Sequence, residues 1–289
     1  NLALRAIQPF CHLQYAPVVV GILQCACSIL VYPRIAWNIA QEPFMKDVTP
    51  VSTLKLRFSA GLTGQQDGIG DYVHLARYNI SNDPSYMYNM GGGDFVHPVT
   101  PQSYDPAIRW ETTMTYDLGL DFGFFKDRLS GSIDAYVRDT KDLLNSVQVP
   151  MGSTFGNKLM TNIGSIRNMG LEFAINGVPV QTTDWSVQLG FNGTFQSTEF
   201  TKLNPTEDEN YYIEVGSISK GTGGYLSRQM VGYAPYTYYT YKQKYYPDGN
   251  PIQNEFVDLD GDGVITEGDR YMTGKSPSPK FFYGLNVKV

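Results

Sequence analysis

Cysteine is nearly absent from this sequence, and its absence excludes two kinds of stabilising site. The 289 residues include three cysteines, Cys11, Cys25 and Cys27, and none after residue 27. A disulfide framework is therefore impossible for most of the chain. The pair Cys25 and Cys27 also provides too few ligands for a zinc site, which needs about four.

Basic charge and long apolar runs are also scarce. The sequence has 22 lysines and arginines against 28 acidic residues, and the net charge of −6 argues against a nucleic-acid partner. The uncharged run at residues 17–32 is slightly shorter than the roughly 20 residues of a membrane-spanning helix. A buried strand pair fits this run better than a lipoprotein signal or a short inner-membrane anchor.

Motifs for catalysis are missing as well. The three histidines, His12, His74 and His97, are scattered, and no serine elbow of the form G-x-S-x-G occurs. The glycine run at residues 91–93 lacks the Lys-Ser/Thr of a phosphate-binding loop. The sequence therefore does not predict an enzyme.

A strict alternation of apolar and polar residues runs through residues 114–124. The apolar set is Met114, Tyr116, Leu118, Leu120, Phe122 and Phe124. A β-strand places alternate residues on opposite faces of a sheet, so this set shares one face. Eleven residues span about 36 Å at about 3.3 Å per residue, which is enough to cross a bilayer when the strand is tilted.

The same period recurs along the chain. It is present in segments 54–62, 129–137, 171–175, 185–196 and 283–289. Short connections of about four and eight residues alternate with long ones of 31 and 84 residues. These features predict an all-β, antiparallel transmembrane β-barrel with long extracellular loops. The alternative is a secreted, calcium-stabilised β-sandwich that binds carbohydrate, although a sandwich more often has uniformly short connections.

The sequence DLDGDGVITEGD at residues 258–269 matches a calcium-binding loop. The predicted ligands are the carboxylates of Asp258, Asp260, Asp262 and Asp269 and the backbone carbonyl of Val264. Because aspartate replaces the usual, longer glutamate at the last position, we expect a lower affinity. The sequence predicts a structural Ca²⁺ site, and the alternative is a solvated acidic turn.

Tyrosine is dense in one region. Seven tyrosines lie between residues 233 and 246. They predict either a cluster that packs loops or forms an aromatic girdle, or a surface that stacks on a sugar or contacts a partner.

Several segments together resemble the SusC/RagA family of TonB-dependent outer-membrane transporters. They are AWNIAQEPFM at 36–45, LKLRFSAGLTGQQDGIGD at 54–71, WETT at 110–113, YDLGLDF at 116–122 and NIGSIRNMGLEF at 162–173. The Asp-Gly-Asp-Gly loop is also usual in that family. The segments come in the order and spacing of the family, and the resemblance covers residues 35–289.

This resemblance implies part of the C-terminal half of a 22-stranded barrel in the cell outer membrane. It implies active import of glycan fragments or peptides, with a SusD-like lipoprotein as lid and energy from TonB-ExbB-ExbD through an N-terminal part that this chain lacks. Residues 1–34 are atypical of the family, and we expect a sequencing or frame error there. Residues 35–289 are expected to form a partial barrel domain. The sequence does not identify the substrate.

Overall fold

The computed structural model describes most of the chain beyond residue 33. The described residues are 3–5, 33–48, 50–66, 68–80, 83, 85, 87–93, 95–150, 152, 158–203, 211–218 and 224–289. The three cysteines and the uncharged run at 17–32 lie outside these residues. None of the helical segments in the described ranges has the length and apolar character required to cross a membrane.

Strands dominate the described residues, and only single 3-10 turns, such as Pro43–Met45, interrupt them. The strands of the first half are β1 (Ala3–Arg5), β2 (Arg34–Asn38), β3 (Val51–Gln65), β4 (Tyr78–Ile80), β5 (Tyr88–Asn89), β6 (Phe95–Val96), β7 (Val99–Pro101), β8 (Glu111–Phe124), β9 (Leu129–Lys141) and β10 (Leu144–Gln148). Those of the second half are β11 (Lys158–Asn162), β12 (Ser165–Gln181), β13 (Ser186–Lys202), β14 (Tyr212–Ser217), β15 (Tyr225–Met230), β16 (Thr237–Tyr241), β17 (Gln243–Tyr245), β18 (Pro251–Phe256), β19 (Arg270–Met272) and β20 (Phe281–Lys288).

Eight of these strands form one large sheet in the order β1-β2-β3-β8-β9-β12-β13-β20. Every neighbouring pair in the sheet is antiparallel. The six strands predicted from the alternating pattern are all present, and most extend beyond the predicted ends. We call this sheet the wall. The remaining strands form small sheets in the long connections, of which the largest has the order β14-β15-β16-β19.

The connections at the two ends of the wall differ sharply in length. Four residues, 125–128, join β8 to β9, and four more, 182–185, join β12 to β13. The other end carries the long segments 66–110, 142–164 and 203–280, which contain all of the small sheets. This arrangement confirms the predicted alternation of short turns with long loops.

The register places the apolar residues of all the long strands on one face. Phe58 pairs with Leu118, Leu118 with Ala135, and Leu171 with Phe195. This face is not covered by a second layer, because Leu118 is 51% exposed and Leu285 is 74% exposed. A soluble sandwich buries its apolar faces against each other, so the exposed apolar face contradicts the sandwich alternative and agrees with a barrel that faces lipid.

Large side chains of the wall lie over glycines of the neighbouring strand. A Cβ atom at Gly193 would come within 2.6 Å of the ring of Phe173, and one at Gly131 would meet the ring of Phe122 at the same distance. A Cβ at Gly131 would also collide with the backbone carbonyl of Ala174. Because glycine has no side chain, these positions leave the space in which the rings lie flat on the sheet.

We expect Gly131→Ala to destabilise the barrel, because the added methyl group meets backbone, which cannot move aside. The expected loss in the free energy of unfolding is about 1–3 kcal/mol, the usual cost of overpacking. Gly177→Ala is the matched control, since a Cβ there has no neighbour closer than 4.0 Å. The stability of both variants is measured by urea unfolding of the full-length receptor in lipid, with gel migration as the readout of the folded fraction. Equal stability of the two variants would contradict the prediction.

Candidate functional site

The polar face of the wall carries an ionic cluster on β3, β8 and β9. The guanidinium of Arg57 on β3 donates to both carboxylate oxygens of Asp121 on β8, at 2.9 and 2.8 Å, and to Asp134 on β9 at 2.8 Å. To reach Asp134, the side chain crosses Gly119, where a Cβ would lie 2.7 Å from Nη2 of Arg57. One arginine thus links three strands and offsets the charges of two carboxylates.

The polar face has a different character on β12, β13 and β20. Asn176 is paired with Gly190, which is paired with Asn286; in the next row Ala174 is paired with Asn192. Asparagines therefore alternate with small residues across three strands. This pattern leaves a shallow trough of about 370 Å³ over these residues. A smaller trough of about 170 Å³ lies beside it, and Lys288 is part of its lining.

The asparagines lie flat over the glycines beside them. The Oδ1 atom of Asn176 would be 3.0 Å from a Cβ at Gly190, and Oδ1 of Asn192 would collide with a Cβ at Gly284. Their amides form no side-chain hydrogen bond with any residue that the structure describes. An asparagine amide has two donors and an acceptor, so these groups are available to a ligand.

A larger cavity, of about 480 Å³, lies at the outer end of the wall. It opens where the edge of β13 changes partner: the N–H of Gln196 donates to the carbonyl of Lys280 at 2.8 Å, whereas the N–H of Phe200 donates to the carbonyl of Tyr233 at 3.0 Å. Asn168 lines the cavity and donates to Oγ1 of Thr198 at 2.6 Å. Its Oδ1 atom is buried and has no partner in the described part of the chain.

The largest of the small sheets, β14-β15-β16-β19, is called the outer sheet here. It is built around stacked arginine and tyrosine side chains. The guanidinium of Arg228 lies 3.8 Å from the ring centre of Tyr212 and 3.6 Å from that of Tyr239, and it donates to Glu214 at 3.1 Å. Arg270 lies on Tyr239 as well, at 4.5 Å. Contacts of this kind contribute about 0.5–2 kcal/mol each, so the stack holds the outer sheet together.

The tyrosine-dense segment is divided between packing and exposure. Tyr239 belongs to the stack, and the ring of Tyr241 lies 5.3 Å from that of Phe256. Tyr245 and Tyr246 are 62% and 52% exposed. Tyr239 and Tyr241 therefore agree with the loop-packing interpretation, and the exposed rings of the segment, Tyr245 and Tyr246 among them, remain available for contacts.

The predicted calcium loop brings three of its carboxylates together. Ligand oxygens of Asp258, Asp260 and Asp262 all lie within 4.8 Å of one another. Asp258 accepts from the N–H groups of Gly261 at 2.6 Å and Gly263 at 2.8 Å. Both glycines have positive φ, 78° and 84°. The loop therefore folds back on its first residue, and this fold makes the carboxylates converge.

Asp269 and Val264 take other positions in the loop. The buried carboxylate of Asp269 accepts from the N–H groups of Leu259 at 2.6 Å and Thr266 at 2.7 Å, and it lies outside the group of three. The side chain of Thr266 accepts from the backbone N–H of Asp269, and the side chain of Asp269 accepts from that of Thr266, which makes a capping box. Val264 donates its N–H to Asp262 at 2.7 Å, and its side chain is exposed. Asp269 therefore closes the loop by joining its two ends.

The charges in the loop oppose one another. The N–H of Asp262 lowers the pKa of Asp260, but desolvation and the charges of Asp262, Asp269 and Asp258 outweigh it, so the pKa is raised. The pKa of Asp269 is lowered, because the backbone N–H groups of Thr266 and Leu259 stabilise its charged form. A cation beside Asp260 would relieve the repulsion that raises its pKa.

The wall, taken as a whole, defines a class of protein. An antiparallel sheet with an exposed apolar face and a polar face of ionic and amide groups is a segment of a membrane-spanning β-barrel. The model of the TonB dependent receptor-like β-barrel family matches residues 48–273, and the chain belongs to this family.

The relatives agree with this assignment. The chain is 41% identical to the TonB-dependent receptor SusC of Bacteroides thetaiotaomicron over 261 residues, which cover 89% of this chain and 26% of SusC. It is 33% identical over 271 residues to TonB-dependent receptor P3 of Formosa agariphila, with 87% of this chain and 26% of P3 covered. The chain thus spans about a quarter of the length of these relatives.

A solved structure has the same fold. The RagAB peptide transporter matches with a TM-score of 0.67 and 24% identity, over 89% of this chain and 27% of that one. The resemblance to the SusC/RagA family, the partial barrel and the outer-membrane location are therefore confirmed. These relatives are named as TonB-dependent receptors.

We expect Asp269→Ala to loosen the loop at 258–269, because two backbone N–H groups lose their acceptor. Cleavage of the loop by a protease at low concentration should become several-fold faster. Glu267→Ala is the matched control, since its side chain is exposed on the same 3-10 turn.

Acid should have the same effect on the unchanged loop. Because the pKa of Asp269 is lowered from 3.8, its contribution to stability is complete above that pH and is lost as the pH falls through the lowered value. Cleavage that is equally slow in both variants, or independent of acid, would contradict the closing role of Asp269.

Proposed function

We propose that the chain is part of an outer-membrane receptor that actively imports glycan fragments or peptides. The observation that supports this most directly is the two-faced wall: an apolar face suited to outer-membrane lipid, and a polar face with ionic and amide groups suited to a wet lumen. The wall supplies passage and recognition, and no bond chemistry is assigned to it.

The proposed partners follow from the family. A SusD-like lipoprotein closes the outer mouth, and TonB-ExbB-ExbD supplies energy through the N-terminal part of the full-length receptor. RagAB is named as a peptide transporter, whereas the name SusC does not state a substrate. The proposed function therefore includes both glycan fragments and peptides as substrates.

Uptake by intact cells tests the import proposal. Cells that express the full-length receptor should accumulate labelled oligosaccharides or casein peptides, and cells with the gene deleted should not. A protonophore should reduce accumulation to the level of the deletion, because import against a gradient needs the energised inner membrane. Accumulation that persists unchanged with the protonophore would contradict active import.

We further propose that Ca²⁺ binds the loop through Asp258, Asp260 and Asp262. The three converging carboxylates and the raised pKa of Asp260 support this proposal. The carbonyl of Val264 and the carboxylate of Asp269 complete the predicted ligand set, with Asp269 also holding the ends of the loop. The bound ion has a structural role, since Asp269 is followed directly by Arg270 of the stacked outer sheet.

Calorimetry of the full-length receptor tests this site. Calcium should release or absorb heat with the unchanged protein, and Asp260→Ala should abolish that heat because the ion loses a charged ligand. Asp248→Ala is the matched control, since Asp248 belongs to a nearby turn and contacts Asn250. No heat with the unchanged receptor, or equal heat with Asp260→Ala, would remove the proposal.

A further inference from the structure

The apolar face of the wall carries charged side chains only at its outer end. Among the long strands of the wall, which the structure describes in full, the alternation places five charged residues on that face: Asp139, Lys141, Arg167, Glu199 and Lys202. They occupy two successive rows on the neighbouring strands β9, β12 and β13. We call these five residues the rim patch. Three of them are cations, so the rim patch is basic although the chain has a net charge of −6.

The rim patch begins where the apolar band of the wall ends. On β9 the outward residues from Leu129 to Val137 are apolar or glycine, and Asp139 is the next outward residue. The stretch from Leu129 to Val137 is about 26 Å long at about 3.3 Å per residue, or about 20 Å in height for a strand tilted by about 40°. The apolar band of an outer-membrane barrel is about 25 Å tall. The rim patch therefore lies at the level of the lipid headgroups, on the side of the long loops.

Two lysines of the rim patch lie on either side of one serine. Ser165 on β12 is paired with Lys141 of β9 and with Lys202 of β13. Adjacent strands lie about 4.8 Å apart, so the backbones of the two lysines are about 10 Å apart, and their long side chains can reach a common ligand. Both lysines are exposed, and neither forms an ion pair with a residue that the structure describes.

A β-bulge sets the direction of Lys202. The register between β12 and β13 shifts at this point, and Thr201 is the extra residue. Thr201 and Lys202 are both exposed, whereas Phe200 and Leu203 on either side of them are buried beneath the outer sheet. Bulges commonly re-aim side chains in this way. The side chain of Lys202 therefore lies on the outward side of the wall, beside Ser165.

The two carboxylates of the rim patch flank its arginine. Arg167 donates to Asp139 through Nε at 2.6 Å and through Nη2 at 3.3 Å. Glu199 is paired with Arg167 on the other side. This row lies closer to the lipid than the row of Lys141 and Lys202. The carboxylates therefore have a cation between them, and the rim patch as a whole keeps a positive charge.

We propose that the rim patch binds the phosphate-bearing headgroup of a lipid in the outer leaflet of the outer membrane. Lys141 and Lys202 pair with the phosphate oxygens, and the hydroxyl of Ser165 between them donates a hydrogen bond. The acyl chains lie on the apolar outward residues below, such as Val137 and Met169. Because the basic patch is continuous with the lipid-facing surface, a lipid fits it better than a soluble partner does. The bound lipid ties β9, β12 and β13 together at the end of the wall that carries the long loops.

Binding of diphosphoryl lipid A to the full-length receptor in a neutral detergent tests the rim patch, with native mass spectrometry as the readout. The double variant Lys141→Gln with Lys202→Gln removes both ammonium groups and keeps side chains of similar length. Lys55→Gln with Lys288→Gln is the matched control, because these two lysines lie on the polar face of the wall. All variants must show the heat-modifiable migration of a folded barrel in gels.

We expect the rim-patch variant to bind diphosphoryl lipid A about ten- to thirtyfold more weakly, because each lysine beside an anionic lipid contributes a factor of about five. The control variant should bind within about twofold of the unchanged receptor, since its lysines do not face lipid. The unchanged receptor should bind lipid A from which the phosphates have been removed as weakly as the rim-patch variant binds the intact lipid.

Three other results would overturn the inference. Equal binding of lipid A with and without its phosphates would show that the apolar face alone holds the lipid. Equal loss of binding in the two double variants would assign the effect to overall charge. Displacement of the lipid by inorganic phosphate at the concentration at which free lipid A displaces it would indicate a site for a free anion. None of these measurements depends on transport, so their outcome leaves the import proposal to its own test.

Discussion

The structure depends first on backbone hydrogen bonding. In the hydrocarbon of a membrane no water is available to the peptide groups, so each strand must be bonded along its length by its neighbours. The long antiparallel pairs of the wall meet this requirement: β8 and β9 pair without interruption from Phe124 and Leu129 to Thr112 and Lys141. Once this ladder is fixed, the direction of every side chain is fixed too, and the two faces acquire their separate roles.

The second constraint is the packing of side chains within a single layer. A wall without a second sheet behind it lacks a conventional core, and the large side chains find contacts along the sheet instead. Rings occupy the spaces left by glycines on the lipid side, as Phe173 does over Gly193, and polar groups do so on the lumen side, as Arg57 does over Gly119. Lateral packing of this kind stabilises the wall and leaves selected groups accessible to the lumen.

The sequence predicted the wall well because its signal is periodic. The six alternating segments and the alternation of connection lengths all correspond to observed features. The short strand β2 was missed, since five residues give too little alternation, and the outer sheet of β14, β15, β16 and β19 was missed because its stability comes from contacts such as that of Arg228 with Tyr239. The motif predicted the convergence of Asp258, Asp260 and Asp262, whereas the closing role of Asp269 is visible only in the folded loop, where its carboxylate accepts from the N–H of Leu259.

The flat packing of side chains over glycines also constrains how such a wall can change over time. A glycine and the residue that covers it lie on different strands and can be far apart in sequence: Gly284 and Asn192, for example, are separated by 91 intervening residues. Enlarging the glycine expels its cover, and shrinking the cover leaves a hole. The two positions therefore behave as one heritable unit, and neighbouring strands of the barrel must drift together rather than independently.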